Sequence, residues 1–430
     1  MTMPSFSSLH IDPAPLRSAA FVRLLLSRSI TRLGSVATST TILLQVATVT
    51  GSPLATGGVA AVQILPILIM GLYGGHLADR FDRRRVAVFS EIALLLVSLV
   101  LVGTSLRPNA SVTVLYIVVA SGSALSSMQR AALDAAVPRV VERHQLPAAS
   151  AWLSAVTTVA GLSAPAIGAA LFYWVGPTAS YALDSLTFAI SAVCLIGLPS
   201  LQPTRPEVLL SVGRSLIEGL AYVHRRPDLR SSYLLDLAAM ALAAPTTMLP
   251  FLAISIHTGA GSGILFGAAA AGSLIMVSLS GWTRRIARIG IPLAIVCAAY
   301  ALTTGALSLS TSLVTAVLLL GIGGAADGLS VIFRDTLWNS TVPDHLRGRV
   351  AGVETVSYAI GAPLSGIILG LLGEWLGFRP ALAIGGIAAI VVIGLIVMLT
   401  PSLRTVDVYA DLDAEDEDLS GAAGTDNDER

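Results

Sequence analysis

Apolar runs of about 20 residues recur from one end of this chain to the other, and arginine gathers mainly between them. No other feature restricts the fold so severely. A helix rises 1.5 Å per residue, so each run can cross a hydrocarbon core about 30 Å thick. In that core the backbone must satisfy its own hydrogen bonds, which leaves helices as the form for such runs. The chain has 430 residues, 54% hydrophobic and 12% charged. A soluble domain carries about 25% charged residues, and a water-soluble core could not use so much apolar surface. The reading is an all-α membrane protein with twelve transmembrane helices. The runs lie near 27–49, 56–78, 86–106, 112–136, 147–174, 178–199, 232–256, 262–282, 290–310, 313–338, 350–373 and 380–400.

All 26 basic residues are arginine. Sixteen fall in the loops after the second, fourth, sixth, eighth and tenth runs, and two, Arg107 and Arg379, on the opposite side. Basic loops stay in the cytoplasm, so both termini are expected there. The N-terminal residues lack the basic, apolar, small-residue order of a cleaved signal. The longest loop, Ser200–Arg230, follows six runs. The expected organisation is a cytoplasmic segment 1–26, a six-helix bundle 27–199, a linker 200–231, a second six-helix bundle 232–401 and a tail 402–430. In the linker, Val212, Leu216, Leu220 and Val223 share one face of a short helix, the pattern of a helix lying on the membrane surface. The tail holds ten acids and two arginines, a composition expected to be disordered. Cys194 and Cys297 both sit inside apolar runs and read as small buried hydrophobes.

The turn between the second and third runs reads Gly75-His-Leu-Ala-Asp79-Arg80-Phe-Asp82-Arg83-Arg84-Arg85. It resembles the signature loop of the major facilitator superfamily, with Asp82 where a glycine is usual. "FVRLLLSRSITRLGS", "VTGSPLATG", "IEGLAYVHRRPDLR" and "VPDHLRGRV" look, in that order, like the branch of bacterial siderophore exporters and macrolide-efflux-like permeases. Glycines let a neighbouring helix come close, and a carboxylate at the membrane edge is stabilised by a helix N-terminus. The resemblance implies that this partner is the start of the eleventh span. Gly75, Asp79, Arg80, Arg83 and Arg84 would then form a latch on the cytoplasmic side. The fifth run reads Ala160-x-x-x-Ala164-Pro165-x-x-Gly168 and resembles the antiporter motif of exporters in that superfamily. Close packing alone explains the same residues. A weak repeat links this stretch to Pro363 and Gly366 of the eleventh run.

A charge near the bilayer centre costs roughly 2.5–3.5 kcal/mol on insertion scales, so each one needs a reason. Arg28, Arg32, Glu91, Arg130, Asp134, Asp236, Arg334, Asp335 and Glu354 lie within about two turns of the cytoplasmic face, where they can pair or reach the surface. Asp236 is also a candidate for the substrate cavity, with Gln45 and Gln63. A structural hydrogen bond explains either glutamine as well as a cargo contact. Asp327 falls near mid-depth of the tenth run and Asp184 about two turns into the sixth. Both are candidates for proton coupling. For Asp327, an ion pair with Arg130 or Arg334 and direct contact with a cationic cargo remain open.

The resemblance implies a bacterial inner-membrane efflux transporter that exports a siderophore-like metabolite or a drug by proton antiport with alternating access. A proton-coupled importer and a non-transporting sensor of the same fold are the alternatives. The chain has no lysine and no phosphate-binding loop of the Gly-x-x-x-x-Gly-Lys type. No enzyme activity, cofactor, metal or nucleic-acid partner is expected. The partners are a small-molecule cargo, protons and the lipid bilayer, and the protein is expected to be a monomer.

Overall fold

Short polar residues, prolines and glycines set the ends of the helices. The structure, a computed structural model, describes residues 12–107, 111–202, 212–343 and 346–405, without the side chains of residues 72, 74–79, 212–216, 260, 284, 355, 358 and 405. Helix α1 (Ala19–Thr50) starts at Ser18, whose Oγ accepts the Phe21 N–H at 3.3 Å, and stops where Gly51 adopts φ 63°. Helix α2 (Pro53–Arg80) begins on a proline, whose missing N–H would have had no partner in a first turn. Asp82 caps α3 (Arg83–Ser105) by accepting the Arg84 N–H at 3.0 Å. Helices α4 (Val112–Val140), α5 (Leu146–Trp174) and α6 (Pro177–Ile196) follow. Then come α7 (Val212–Arg225), α8 (Pro227–Ala243), α9 (Leu249–Ser255), α10 (Ser262–Ser278), α11 (Gly290–Leu307), α12 (Leu313–Thr341), α13 (Arg347–Leu376) and α14 (Phe378–Leu399).

Ten helices among the described residues are long and apolar enough to cross a membrane. The other two expected spans are shorter. The run at 262–282 gives the 17-residue α10. The run at 232–256 is not one helix: α8 ends at Ala243, Ala244 is extended, and α9 resumes at Leu249. The cause is local. Ala244 precedes Pro245, whose ring disfavours the helical conformation in the residue before it. The freed Ala244 carbonyl accepts a 3.0 Å bond from Ser365 Oγ on α13, so the break is satisfied inside protein.

The chain forms two compact units, Met1–Leu209 with Leu249–Gly267, and Leu210–Met248 with Ala268–Arg430. In the first, α1 packs on α5 and α6, α2 on α4, and α3 on α4 and α6. A Cβ on Gly168 of α5 would come within 2.8 Å of the Ala37 Cα and closer still to its carbonyl, so this glycine sets how near α1 and α5 approach. The second unit is built on α8, α11, α12, α13 and α14, around Leu229, Leu235, Leu293, Phe333 and Leu337. Gly272 of α10 meets Gly321 of α12, and Gly324 of α12 meets Ala269, which brings those two helices into backbone contact.

Helix α7 is held mainly by one face. Its packed face is Gly219, Tyr222 and Val223, while Leu220 is 59% exposed and Ile217 69%. Tyr222 donates to the Thr341 carbonyl at 2.9 Å, and Glu218 pairs with Arg349 at 2.8 Å. Helix α7 is thus bound to α13 and leaves apolar side chains uncovered. Of the acidic tail, Ser402–Thr405 form a helical turn whose Leu403 is buried in the second unit. Residues 406–430 lie outside the described residues.

Candidate functional site

In the second unit, Asp236 on α8 and Arg334 on α12 meet with Nη1 to Oδ2 at 3.2 Å, each side chain 4% exposed. Asp327 sits at the midpoint of the 29-residue α12, and Asp236 and Arg334 are the charges that act on it. Arg334 bonds Asp236 rather than Asp327. Asp335 and Glu354 also lie within electrostatic reach of this arginine. One guanidinium therefore serves four carboxylates. Tyr300 on α11 lies within reach of Asp327 and Asp236, and the Cys297 thiol is 3.5 Å from Ser330. Towards the arginine-bearing end, Leu229, Ser232, Tyr233, Arg334, Trp338 and Glu354 line a small pocket between α8, α12 and α13. Trp338 Nε1 is buried there without a hydrogen bond.

In the first unit the charges divide differently. Arg28 pairs with Asp134. Arg32 has Arg130 within electrostatic reach, a like charge rather than a partner. Glu91 on α3 is fully buried and accepts from Ser191 and, at 3.3 Å, from Thr31. Asp184 on α6 is 4% exposed and accepts from Ser98 at 3.3 Å. Gln45 is buried and accepts from the Tyr181 hydroxyl. The Gln63 amide donates to the Val59 carbonyl of its own helix at 2.8 Å. Ala160, Ala164, Pro165 and Gly168 are buried, Thr41 donates to the Gly168 carbonyl at 3.2 Å, and Pro363 lies inside α13 with Gly366 one turn on.

Of the latch residues, Gly75 and Asp79 lie on α2, but their surroundings fall outside the described residues. Arg80 is exposed and lies over the Phe81 ring at 5.9 Å. Arg83 donates to the Ala135 carbonyl at 2.9 Å and Arg84 to the Ile196 carbonyl, tying α3 to the ends of α4 and α6. The sequence reading missed Asp82. Its carboxylate is partly buried, which pushes it up, but bonds from Ser200, the Leu201 and Arg84 N–H groups and the charge of Arg85 hold it below the usual range. The departure from glycine at this position was the available signal.

Ten apolar helices long enough to cross a membrane, with carboxylates and an arginine buried among them, define a multi-pass membrane protein. Solved transporters share this fold. The chain matches the nucleoside transporter NupG with a TM-score of 0.72 at 13% identity, over 88% of this chain and 98% of that one. It matches the bacterial Spinster homologue in its inward-facing, unoccupied conformation with 0.69 at 15%, over 91% and 97%. Residues 11–420 match the family model described as transmembrane secretion effector, and the chain belongs to that family of the major facilitator superfamily. Among curated relatives, the enterobactin exporter EntS of Citrobacter koseri is 25% identical over 329 residues, 76% of this chain and 79% of the relative. The protein of the same name from Salmonella choleraesuis is equally similar over the same shares. Family and fold point to a transporter rather than an enzyme.

Proposed function

We propose that this protein is a secondary active exporter of a small amphiphilic metabolite of the siderophore type or a drug, driven by proton antiport with alternating access. The observation that carries the coupling is Asp327, a carboxylate at the middle of α12 beside an arginine already bonded to Asp236. Desolvation disfavours a charged carboxylate that lacks its own counter-charge, so such a group can take up and give back a proton as water reaches it or leaves. The similarity to enterobactin exporters supports the direction and the cargo class. Both termini are assigned to the cytoplasm on the arginine distribution, and the Asp79 region acts as the cytoplasmic latch.

The test uses cells with and without the protein, grown in scarce and ample iron, with an untargeted comparison of retained metabolites. The retained compound is then loaded into proteoliposomes. Asp327→Asn should abolish uphill movement driven by a pH gradient while keeping exchange of cargo down its own gradient. Uphill movement unchanged in Asp327→Asn overturns the assignment of Asp327. Cargo that moves in the same direction as the protons, rather than against them, overturns antiport and export together.

A further inference from the structure

The interface of α1, α3 and α6 is polar along nearly its whole length. On α1 its members are Ser27, Thr31, Gly34, Thr38, Thr41 and Gln45, spaced alternately by four and three residues. On α6 Ser180, Asp184, Thr187 and Ser191 keep the same rhythm, and on α3 Glu91 and Ser98 are seven apart. Eighteen steps along a helix cover about 27 Å, close to the roughly 30 Å of a hydrocarbon core. The contacts run in register. Ser27 bonds Ser191 at 2.6 Å, Ser191 bonds Glu91, Ser98 bonds Asp184, Thr41 bonds Ser180 at 2.8 Å, and Tyr181 bonds Gln45. A Cβ on Gly34 would come within 2.8 Å of Asp184 Oδ1, so the α1 backbone presses directly on that carboxylate.

Packing alone does not call for this chemistry. Two carboxylates are buried in it, and neither has a cation beside it among the described residues. The arginines of α1 are Arg23, Arg28 and Arg32, those at the start of α3 are Arg83, Arg84 and Arg85, and α4 adds Arg130, Asp134 and Arg139. Arg23, Arg83 and Arg84 donate to backbone carbonyls at the helix ends, and Arg85 acts on Asp82. Arg28 is taken by Asp134, and Arg32 faces Arg130. The charge that acts on Glu91 is Asp184, and Asp184 has the hydroxyls of Thr38 and Ser98. Each carboxylate also has an oxygen that is only loosely engaged, beside a polar group in the same position. Thr38 faces Asp184 and Gln129 faces Glu91, but Asp184 Oδ1, Thr38 Oγ1, Glu91 Oε2 and Gln129 Nε2 are buried without a hydrogen bond of good geometry. An ionised carboxylate in such a place costs several kcal/mol.

We propose that this seam binds and passes protons, with Asp184 and Glu91 as two stations and the hydroxyls as the groups that hand the proton on. It rests on the proton-driven reading above and adds a route inside the first unit. Uptake adds one proton to a carboxylate oxygen and release returns it, with no other bond changed. The stations are two turns apart, about 10 Å, with buried Leu94 between them on α3. Transfer from one to the other therefore requires the seam to loosen, which ties it to helix movement.

The experiment is infrared titration of the purified full-length protein in water and in D2O, which needs no cargo. The wild type should show a carboxylic-acid C=O band at neutral pH that shifts in D2O. Asp184→Asn and Glu91→Gln should each remove a distinct part of it, and Asp327→Asn a different part. Ser98→Ala and Thr31→Val, which keep both carboxylates, should shift the corresponding component to higher frequency through loss of a hydrogen bond. These variants serve if either carboxylate replacement fails to fold. A wild type with only ionised carboxylates at neutral pH, or a band indifferent to all four seam variants, overturns the proposal. Intact seam bands in a protein that moves no cargo would refute the exporter reading instead.

Discussion

Replacing Asp236 by asparagine keeps its shape and removes its charge, leaving Arg334 buried at 4% exposure without its bonded counter-ion. At 3.2 Å and an effective dielectric constant of about 20, the Coulomb attraction lost is about 5 kcal/mol. Much of that attraction offsets the desolvation of both groups, so the pair itself adds little, but orphaning one member typically costs about 3–5 kcal/mol. Asp327, Asp335 and Glu354 still act on Arg334, which puts Asp236→Asn at the low end, about 3 kcal/mol. A guanidinium cannot shed its charge, whereas a carboxylate can neutralise itself by binding a proton. Arg334→Gln should therefore cost less, about 2 kcal/mol. The double variant should lie well short of the sum, by about 1 kcal/mol or more, within the range of coupled neighbours. Thermal unfolding of the purified protein reads this as a fall of about 6–12 °C for Asp236→Asn, at about 2–4 °C per kcal/mol for a unit of this size. Additive single and double effects would show that the two side chains do not act as a buried pair.

Gly168→Val should abolish recovery of monodisperse protein, because its Cβ strikes the Ala37 backbone, whereas Gly161→Ala, with open space, should be recovered like the wild type; size-exclusion profiles decide. Asp82→Asn should lower the melting temperature at pH 7, since cap losses cost about 1 kcal/mol. The Asp82 carboxylate is held below its unfolded value, so its stabilisation is present above about pH 4 and lost as pH falls further. Wild type and variant should converge in acid, and a gap that stays constant with pH would contradict the assignment. Single cysteines at Ser111 and Gly377, in a background without Cys194 and Cys297, should react with an impermeant thiol reagent in intact cells, while one at Ser211 should not. The reverse pattern would invert the orientation.

Length and hydropathy made most of the spanning helices readable because both act locally. The break at Ala244 was not, although Pro245 was in plain view. Pro66, Pro138, Pro165 and Pro363 all sit inside continuous helices, so proline alone does not decide. What distinguishes position 244 is Ser365 on a distant helix, which takes up the freed carbonyl. The charges were individually visible, but their grouping was not. Arg334 chooses Asp236 over Asp327 through the packing of α8 on α12, which no spacing reports. The α1 seam was legible in principle as a polar period of three and four within an apolar run. Its hydroxyl members carry no charge, so only their spacing marks them.

The carbonyl of Ala244 and the hydroxyl of Ser365 are 121 residues apart. At a synthesis rate of about 5–20 residues per second, the ribosome needs roughly 6–24 seconds to deliver the second after the first. Throughout that interval the break lacks the group that completes it. Nascent chains halted before α13 should therefore leave the segment around Ala244 more open to proteases than it is in the finished protein.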